Sequence, residues 1–539
     1  MILPHLSLLL TTAIGTALAG SSNSGNAAQS VLSTLGPVVD LGYTTVVGNA
    51  SSNSVNFFGG IPYVKPPLGD LRWRAPVRLD ETTKNGANKP ELDARWFGPL
   101  CIQQPAIVGV GDEAGATASS NLPVIVYIHG GGNYYNSAQG FPMAHWVEAT
   151  GGQLVAVSIQ YRLGLLGFLA SSKLMANGVA NAGLLDQRAA LEWIQRHIGA
   201  FGGDPKHVTI SGESSGGGSV LNHLVWKDGG DSSPPFSAAS IGNDPFGTAD
   251  VYEQCFNNVT TFTGCDRSTD VMACLRNTPA RVLVQAVNHR PQPLCKYLPI
   301  VDGVNILDFP SVSLTKGHFS KMPVLAGHVN NEGTTFVGSP TSVTNTAQLY
   351  TALTSSRFKW LSNATFERGL ALYNQSEFTS FYDMAQTLTG QTEFSCWDWY
   401  LANRTAAAGQ RAYTYRWNTP DPVQLAAASY KGVVHTSDLY FLFQGTNSGV
   451  SASNAQNTFV PFNSTESLLA SEAVAYWTSF ARSYDPTAHK LATSPDWPAL
   501  NVASGGAQRM VPWQGGANGT ASYVEEIPQA EIDRCLCGQ

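Results

Sequence analysis

The chain has 539 residues, 43% of them apolar and only 13% charged, with a formal net charge of −7. Such a chain can bury a large core, and its slightly acidic balance without any basic cluster removes nucleic acid from the expected partners. No run beyond the N-terminus has the length to cross a bilayer, so no transmembrane segment is expected.

In chain order, residues 1–19 read as a signal peptide, apolar through Leu18 and ending on the small-x-small pattern Ala17-Leu18-Ala19 before Gly20, although no Lys or Arg precedes the apolar stretch. The expected product is therefore secreted. The sequons at Asn49, Asn258, Asn363, Asn374, Asn403, Asn463 and Asn518 fit a glycosylating route. Apolar strands alternate with amphipathic segments over residues 20–539 and no long Pro/Ser linker interrupts them, which predicts one α/β domain with insertions.

The first strand that bears on chemistry is Leu122-Pro-Val-Ile-Val-Tyr-Ile-His129, a continuous apolar run of the kind found in buried parallel sheets, leading into Gly130-Gly131-Gly132. Glycines there leave backbone N–H groups uncovered, as an oxyanion site for acyl transfer requires, and Gly131 and Gly132 are the expected donors. Leu154–Arg162 predicts another buried strand, and Ala182–Ala200 an amphipathic helix. Val208-Thr-Ile210 then runs through Gly212-Glu-Ser-Ser-Gly216 into a helix near Gly217. A reversal that tight places its central residue in strained backbone, with flanking glycines relieving the crowding. This is the pattern of a nucleophile elbow that exposes the Ser214 hydroxyl, with the amide of Ser215 as a third oxyanion donor.

A serine nucleophile needs a base, and the base needs an orienting acid. Met322-Pro-Val-Leu-Ala-Gly327 predicts a strand leading to Glu332, and Gly432-Val-Val-His435-Thr-Ser-Asp438 places His435 at a similar end. Ser214, Glu332, His435 is the chain order that the α/β-hydrolase arrangement uses. His129 precedes the nucleophile and reads as structural. His328 is the rival base, but no acid follows it in the required order. Eight cysteines suit a secreted chain, and none has C-x-x-C spacing, so no metal or redox centre is expected. Cys265 and Cys274 flank a short polar segment and read as a local disulfide; Cys535 and Cys537 cannot bridge each other comfortably, so one reaches elsewhere.

The chain resembles the type-B carboxylesterase/lipase family, the cholinesterase-like branch of the α/β-hydrolases, and especially its secreted fungal members. The marks are Phe58-Gly-Gly-Ile-Pro-Tyr63, Pro66-Pro-Leu-Gly-Asp-Leu-Arg72, Tyr161-Arg-Leu-Gly164, Asn181-Ala-Gly-Leu-Leu-Asp-Gln187, Phe201-Gly-Gly-Asp-Pro205, Gly212-Glu-Ser-Ser-Gly216 and Asn331-Glu-Gly333. The resemblance implies an α/β-hydrolase fold with a large, mostly parallel sheet flanked by helices. It also implies Ser214 as nucleophile, His435 as general base and Glu332 as its orienting acid, with no cofactor. The reaction it implies is two-step hydrolysis of a small-molecule or lipid ester through an acyl-enzyme. It pairs Cys265 with Cys274 and Cys396 with Cys535, and leaves the oligomeric state open.

Three departures stand out. Ser215 replaces the family's alanine, which leaves its amide in place. Gly242-Asn243-Asp244 stand where the family has Gln-Ser-Gly, so Asn243 is the candidate support for the acid. Between Cys101 and Pro123 the family's Ω-loop and the following Ser-Glu-Asp-Cys-Leu strand are missing, and with them the half-cystine that the family pairs with the position of Cys101. Either residues 106–121 bridge a modified sheet or the chain is a shortened, inactive product. The missing loop favours soluble short-chain esters over lipase action on long-chain esters. Retention of all the catalytic residue types argues against a cholinesterase-like binding protein that has lost its activity.

Overall fold

The computed structural model describes residues 35–50, 55–82, 89–98, 101, 120–241, 249–288, 295, 297–356, 358, 361–447, 458–501 and 507–537. The expected signal peptide, Gly242-Asn243-Asp244 and all but the last two residues of the 106–121 linker lie outside them. The central sheet is built from β1 (Leu122–Ile128), β2 (Val155–Ile159), β3 (Gly203–Gly212), β4 (Ala238–Ile241), β5 (Val324–Val329), β6 (Ala412–Trp417), β7 (Gln508–Val511) and β8 (Tyr523–Glu526). Their spatial order is β8-β7-β6-β5-β4-β3-β1-β2. All neighbours are parallel except β7 and β8.

The sheet is apolar on both faces because both are covered. Along β1, Val124, Val126 and Ile128 pack with Leu191, Trp193 and Ile194 of α1 (Ala182–His197), while Ile125 and Tyr127 enter the opposite layer with Phe141, Trp146 and Phe443. That opposite layer is closed by the 20-residue helix Ser464–Ser483, whose start is a capping box between Asn463 and Glu466. The predicted helix to Ala200 gives way after His197 to a 3₁₀ turn over Ile198–Phe201. This is the α/β-hydrolase fold that the family resemblance implies, and its α/β class is the one the alternating pattern predicts.

Two family marks owe their residues to one buried ion pair. Arg162 donates from Nε and a terminal nitrogen to both oxygens of Asp186, at 2.7 Å each, and the Arg162 backbone N–H also reaches Asp186 at 3.0 Å. Both residues are buried. Asp186→Asn strands the guanidinium and is expected to cost about 3–5 kcal/mol in urea unfolding. An unchanged midpoint would show that water reaches Arg162 readily.

Among the described residues three disulfides are formed. Cys265 joins Cys274 and Cys396 joins Cys535, as the resemblance implies, and Cys255 joins Cys295, a pairing that residue spacing left open. Among the described residues no helix is long and apolar enough to cross a membrane.

The order of the strands positions the site. From β1 the chain goes outward to β2 and then returns to the other side of β1 as β3. The carboxyl ends of β1 and β3 therefore lie side by side at the point where the winding reverses, where open α/β sheets gather their reactive groups.

Candidate active site

The elbow reverses in a single residue. β3 ends at Gly212, Ser214 takes φ +56° and ψ −130°, and helix α2 (Ser215–Leu224) begins at once, two residues earlier than expected. The strain sits on the serine itself. The glycines allow close approach instead: a Cβ on Gly216 would stand 2.0 Å from the Ile128 carbonyl oxygen, and one on Gly212 2.5 Å from the Gly216 carbonyl carbon. A Cβ on Gly130 would lie 3.0 Å from that of Ser214, which shows how closely the loop after β1 meets the elbow.

That loop turns through Gly131 (φ +106°) and Gly132 (φ +59°), conformations that a side chain strongly disfavours. The loop is tied to the elbow by Ser215, whose buried Oγ accepts from the Asn133 N–H at 3.0 Å. Sequence reasoning assigned only the amide of Ser215. The hydroxyl's role depends on a partner 82 residues away, and the serine in place of alanine was the one available signal.

Glu332 follows β5 and opens a 3₁₀ turn over Glu332–Thr335. Its Oε1 accepts from the Val329 N–H at 2.9 Å. Gly333 allows this turn to press on helix α3 (Phe381–Gly390), since a Cβ there would be 1.9 Å from the Gln386 carbonyl oxygen. Asn331 stitches the loop to the one bearing His435: its N–H donates to the Val433 carbonyl at 2.9 Å, and its Oδ1 accepts from the Val433 N–H at 3.0 Å. His435 follows this isolated bridge and stands before a helix over Ser437–Leu442, so the histidine loop is held by the acid loop and not by a strand of its own.

The structure thus brings Ser214, Glu332 and His435 together. His435 Nε2 lies 3.0 Å from Ser214 Oγ and Nδ1 lies 2.6 Å from Glu332 Oε2. Glu332 and His435 are buried and Ser214 half-buried, so the hydroxyl is the accessible end of the chain of bonds. The imidazole is flanked by Phe394 (ring centroids 4.6 Å apart) and Phe336 (5.2 Å). Phe394 belongs to a π-helical turn over Gln391–Ser395, a local widening of the helix that no sequence pattern announced.

Further acids surround the three. Glu213 Oε1 lies 3.3 Å from His435 Nε2, on the serine side of the ring. Behind Glu332, burial first and then the charges of Glu332 and Asp438 hold the Asp398 carboxyl well above the usual range. Burial and then Glu332 push Asp438 up to about 6. Asp438 accepts from the Tyr415 hydroxyl at 3.2 Å. A carboxyl whose folded pKa is raised favours the protonated folded state. That contribution is present below its ordinary value of 3.8 and is lost as pH rises through about 6. Asp438→Asn is accordingly expected to leave stability unchanged below about pH 4 and to raise it by roughly 3 kcal/mol at pH 7.5. Chemical denaturation at the two pH values checks this, and an equal effect at both contradicts it.

His328 and His129 face partners other than the serine. His328 sits in β5 with Nδ1 3.5 Å from Asp398 Oδ2, and His129 is fully buried, stacked on Tyr161 with Nδ1 2.9 Å from the Gly130 carbonyl oxygen. Among the described residues no group of three or more His, Cys, Asp or Glu side chains is placed to hold a metal ion. An apolar groove of about 390 Å³ elsewhere on the molecule has neither Ser214, Glu332, His435 nor the oxyanion-loop glycines in its lining.

The family model described as "Carboxylesterase family" matches residues 36–510. The chain belongs to the carboxylesterase family. Among its relatives, lipase 5 of Diutina rugosa is 34% identical over 360 residues, covering 56% of this chain and 63% of that protein. Secreted lipase 1 of Botryotinia fuckeliana is 32% identical over 353 residues, covering 57% of this chain and 61% of that one. The chain therefore spans less than two thirds of the length of these relatives. Among solved structures, Aspergillus niger EstA superposes with a TM-score of 0.80 at 27% identity over 94% of this chain and 98% of its own. PNB esterase, at 24% identity and a TM-score of 0.72, shares the fold.

Proposed function

We propose that this carboxylesterase-family chain is a secreted serine ester hydrolase, with residues 20–539 forming one catalytic domain after removal of 1–19. The observation that carries the reading is the imidazole of His435 held between Ser214 Oγ at 3.0 Å and Glu332 Oε2 at 2.6 Å. In the proposed reaction, Nε2 takes the Ser214 proton as Oγ attacks the ester carbonyl, and the Nδ1–H is kept on Glu332, which fixes the tautomer and steadies the imidazolium. The amides of Gly131, Gly132 and Ser215 receive the developing oxyanion. The alcohol leaves with the proton from His435, and water, activated by the same ring, releases the acid from the acyl-serine. No cofactor takes part.

The substrate is a carboxylic ester, and the absence of the family's Ω-loop favours short, soluble ones. A second reading, lipase action, draws on the names of the relatives, one being a secreted triacylglycerol lipase. A fluorophosphonate probe tests the core proposal: one equivalent is expected on Ser214, mapped by peptide mass spectrometry. Labelling elsewhere, or none in folded protein, contradicts it. Relative rates on nitrophenyl butyrate and emulsified triglyceride then separate esterase from lipase.

A further inference from the structure

The proposed chemistry uses none of the seven sequons, yet the fold distinguishes among them. Asn363, Asn374, Asn463 and Asn518 are all exposed. At two of these the side-chain oxygen is already engaged with the backbone. Asn463 Oδ1 accepts from the N–H groups of Thr465 at 3.0 Å and Glu466 at 2.9 Å, capping the helix Ser464–Ser483, and Asn374 Oδ1 accepts from the Ser376 N–H at 3.2 Å. Because the amide is planar, an oxygen turned inward leaves Nδ2 on the other side, toward solvent. A substituent on that nitrogen keeps both bonds, since the carbonyl acceptor is untouched. Asn363 is the first residue of the helix Asn363–Leu370, whose cap is supplied by Ser362, so its own side chain has no capping task. Asn518 sits in a turn closed by the Gly519 N–H on the Gly516 carbonyl at 3.3 Å, the kind of exposed tip that tolerates a bulky addition.

Asn258 is the opposite case. It lies within the helix Ala249–Thr263, its Nδ2 is shut off from solvent, and Phe256, Val259 and Thr260 beside it in the helix are buried. A sugar attached there needs room that a close-packed interior lacks, and its hydroxyls would lose water without gaining partners. The helix is also tied through Cys255 to Cys295, so it cannot simply swing outward. A chain modified at Asn258 therefore cannot complete this fold. Asn49 and Asn403 are half-buried and fall between the two cases.

We infer that Asn363, Asn374, Asn463 and Asn518 carry N-linked oligosaccharides in the folded protein and that Asn258 carries none. The donor is a lipid-pyrophosphate-linked oligosaccharide of the secretory route. Nδ2 attacks the anomeric carbon; the N–C bond forms, the C–O bond to pyrophosphate breaks, the lipid pyrophosphate leaves, and Nδ2 gives up one proton. The assignment rests on the proposed secretion, which brings the chain to that donor, and not on the proposed catalytic chemistry.

The test expresses the full chain in a yeast in two forms, one with residues 1–19 and one with these replaced by a leader that exports other proteins. Enzymatic removal of N-glycans in heavy-oxygen water turns each glycosylated asparagine into labelled aspartate, and peptide mass spectrometry of the trypsin-resistant, folded protein reads the positions. The expected result is label in most molecules at each of residues 363, 374, 463 and 518, and none above background at 258. Any of the four left unlabelled in most molecules, or label at Asn258 in folded protein, overturns the assignment. The form with the imposed leader decides this on its own, since its passage through the secretory route does not depend on residues 1–19; if it is held inside the cell, the same mapping is made on the protein retained in the secretory compartments. The expected pattern in that form, with no protein in the medium from the other, would remove the secretion reading and leave the choice of sites standing.

Discussion

Ser214→Ala is expected to lower kcat/KM on nitrophenyl butyrate by at least about 10⁴-fold and to shift the melting temperature by no more than about 2 °C. The two halves follow from different features of the residue. Its Oγ is the half-buried end of the bonded series Ser214–His435–Glu332, so deletion removes the only group in that series open to an incoming ester. Its backbone at φ +56° is imposed by the close packing of Gly212 and Gly216 against their neighbours, and alanine occupies that conformation at similar cost. The amides of Gly131, Gly132 and Ser215 remain, and residual turnover above the buffer rate is expected from them. Wild-type activity in the variant would remove Ser214 from the chemistry altogether.

The parts of this molecule that could be read from residues alone are those set by short-range pattern. Continuous apolar runs mark β1, β2, β3 and β5 because a sheet covered on both faces needs no polar alternation. The elbow and the glycine loop are legible for a similar reason, since their backbone geometry tolerates few residue types. Glu332 and His435 were legible through chain order and placement, while the device that unites them, the Asn331 side chain against Val433, was not; it is a contact between loops 102 residues apart. Long-range partnership hid the rest as well. Nothing local in Asp398, Asp438 or Phe394 distinguishes it from an ordinary core or helix residue until the fold sets it behind the Glu332–His435 pair. The starting point of α2 was misjudged because Gly216 looked like part of the turn, whereas it is a helical residue pressed against the Ile128 carbonyl.

Glu332→Gln is expected to reduce kcat by about 10⁴-fold with KM little changed. One oxygen of Glu332 accepts from the Val329 N–H and the other faces His435 Nδ1. Glutamine can offer oxygen to only one of them. If it keeps the Val329 bond, its NH₂ faces Nδ1, which must then accept; the ring proton moves to Nε2 and points at Ser214 Oγ, where no base is left to take the serine proton. If it turns round, two N–H groups meet at Val329. Both outcomes spoil the ring's tautomer or its support, and neither alters the space around the substrate. Glu213→Gln is the internal comparison, since Glu213 approaches Nε2 and leaves the Nδ1 partner intact; a far smaller loss is expected there. Asp438→Asn supplies the second comparison, because Asp438 lies behind the pair and is pushed up to about 6, where it is largely ionised at neutral pH yet has no bond to the ring. Should Asp438→Asn lose activity as heavily as predicted for Glu332→Gln, with Glu332→Gln near wild type, the orienting acid is residue 438 and the proposed assignment of the triad fails at that position.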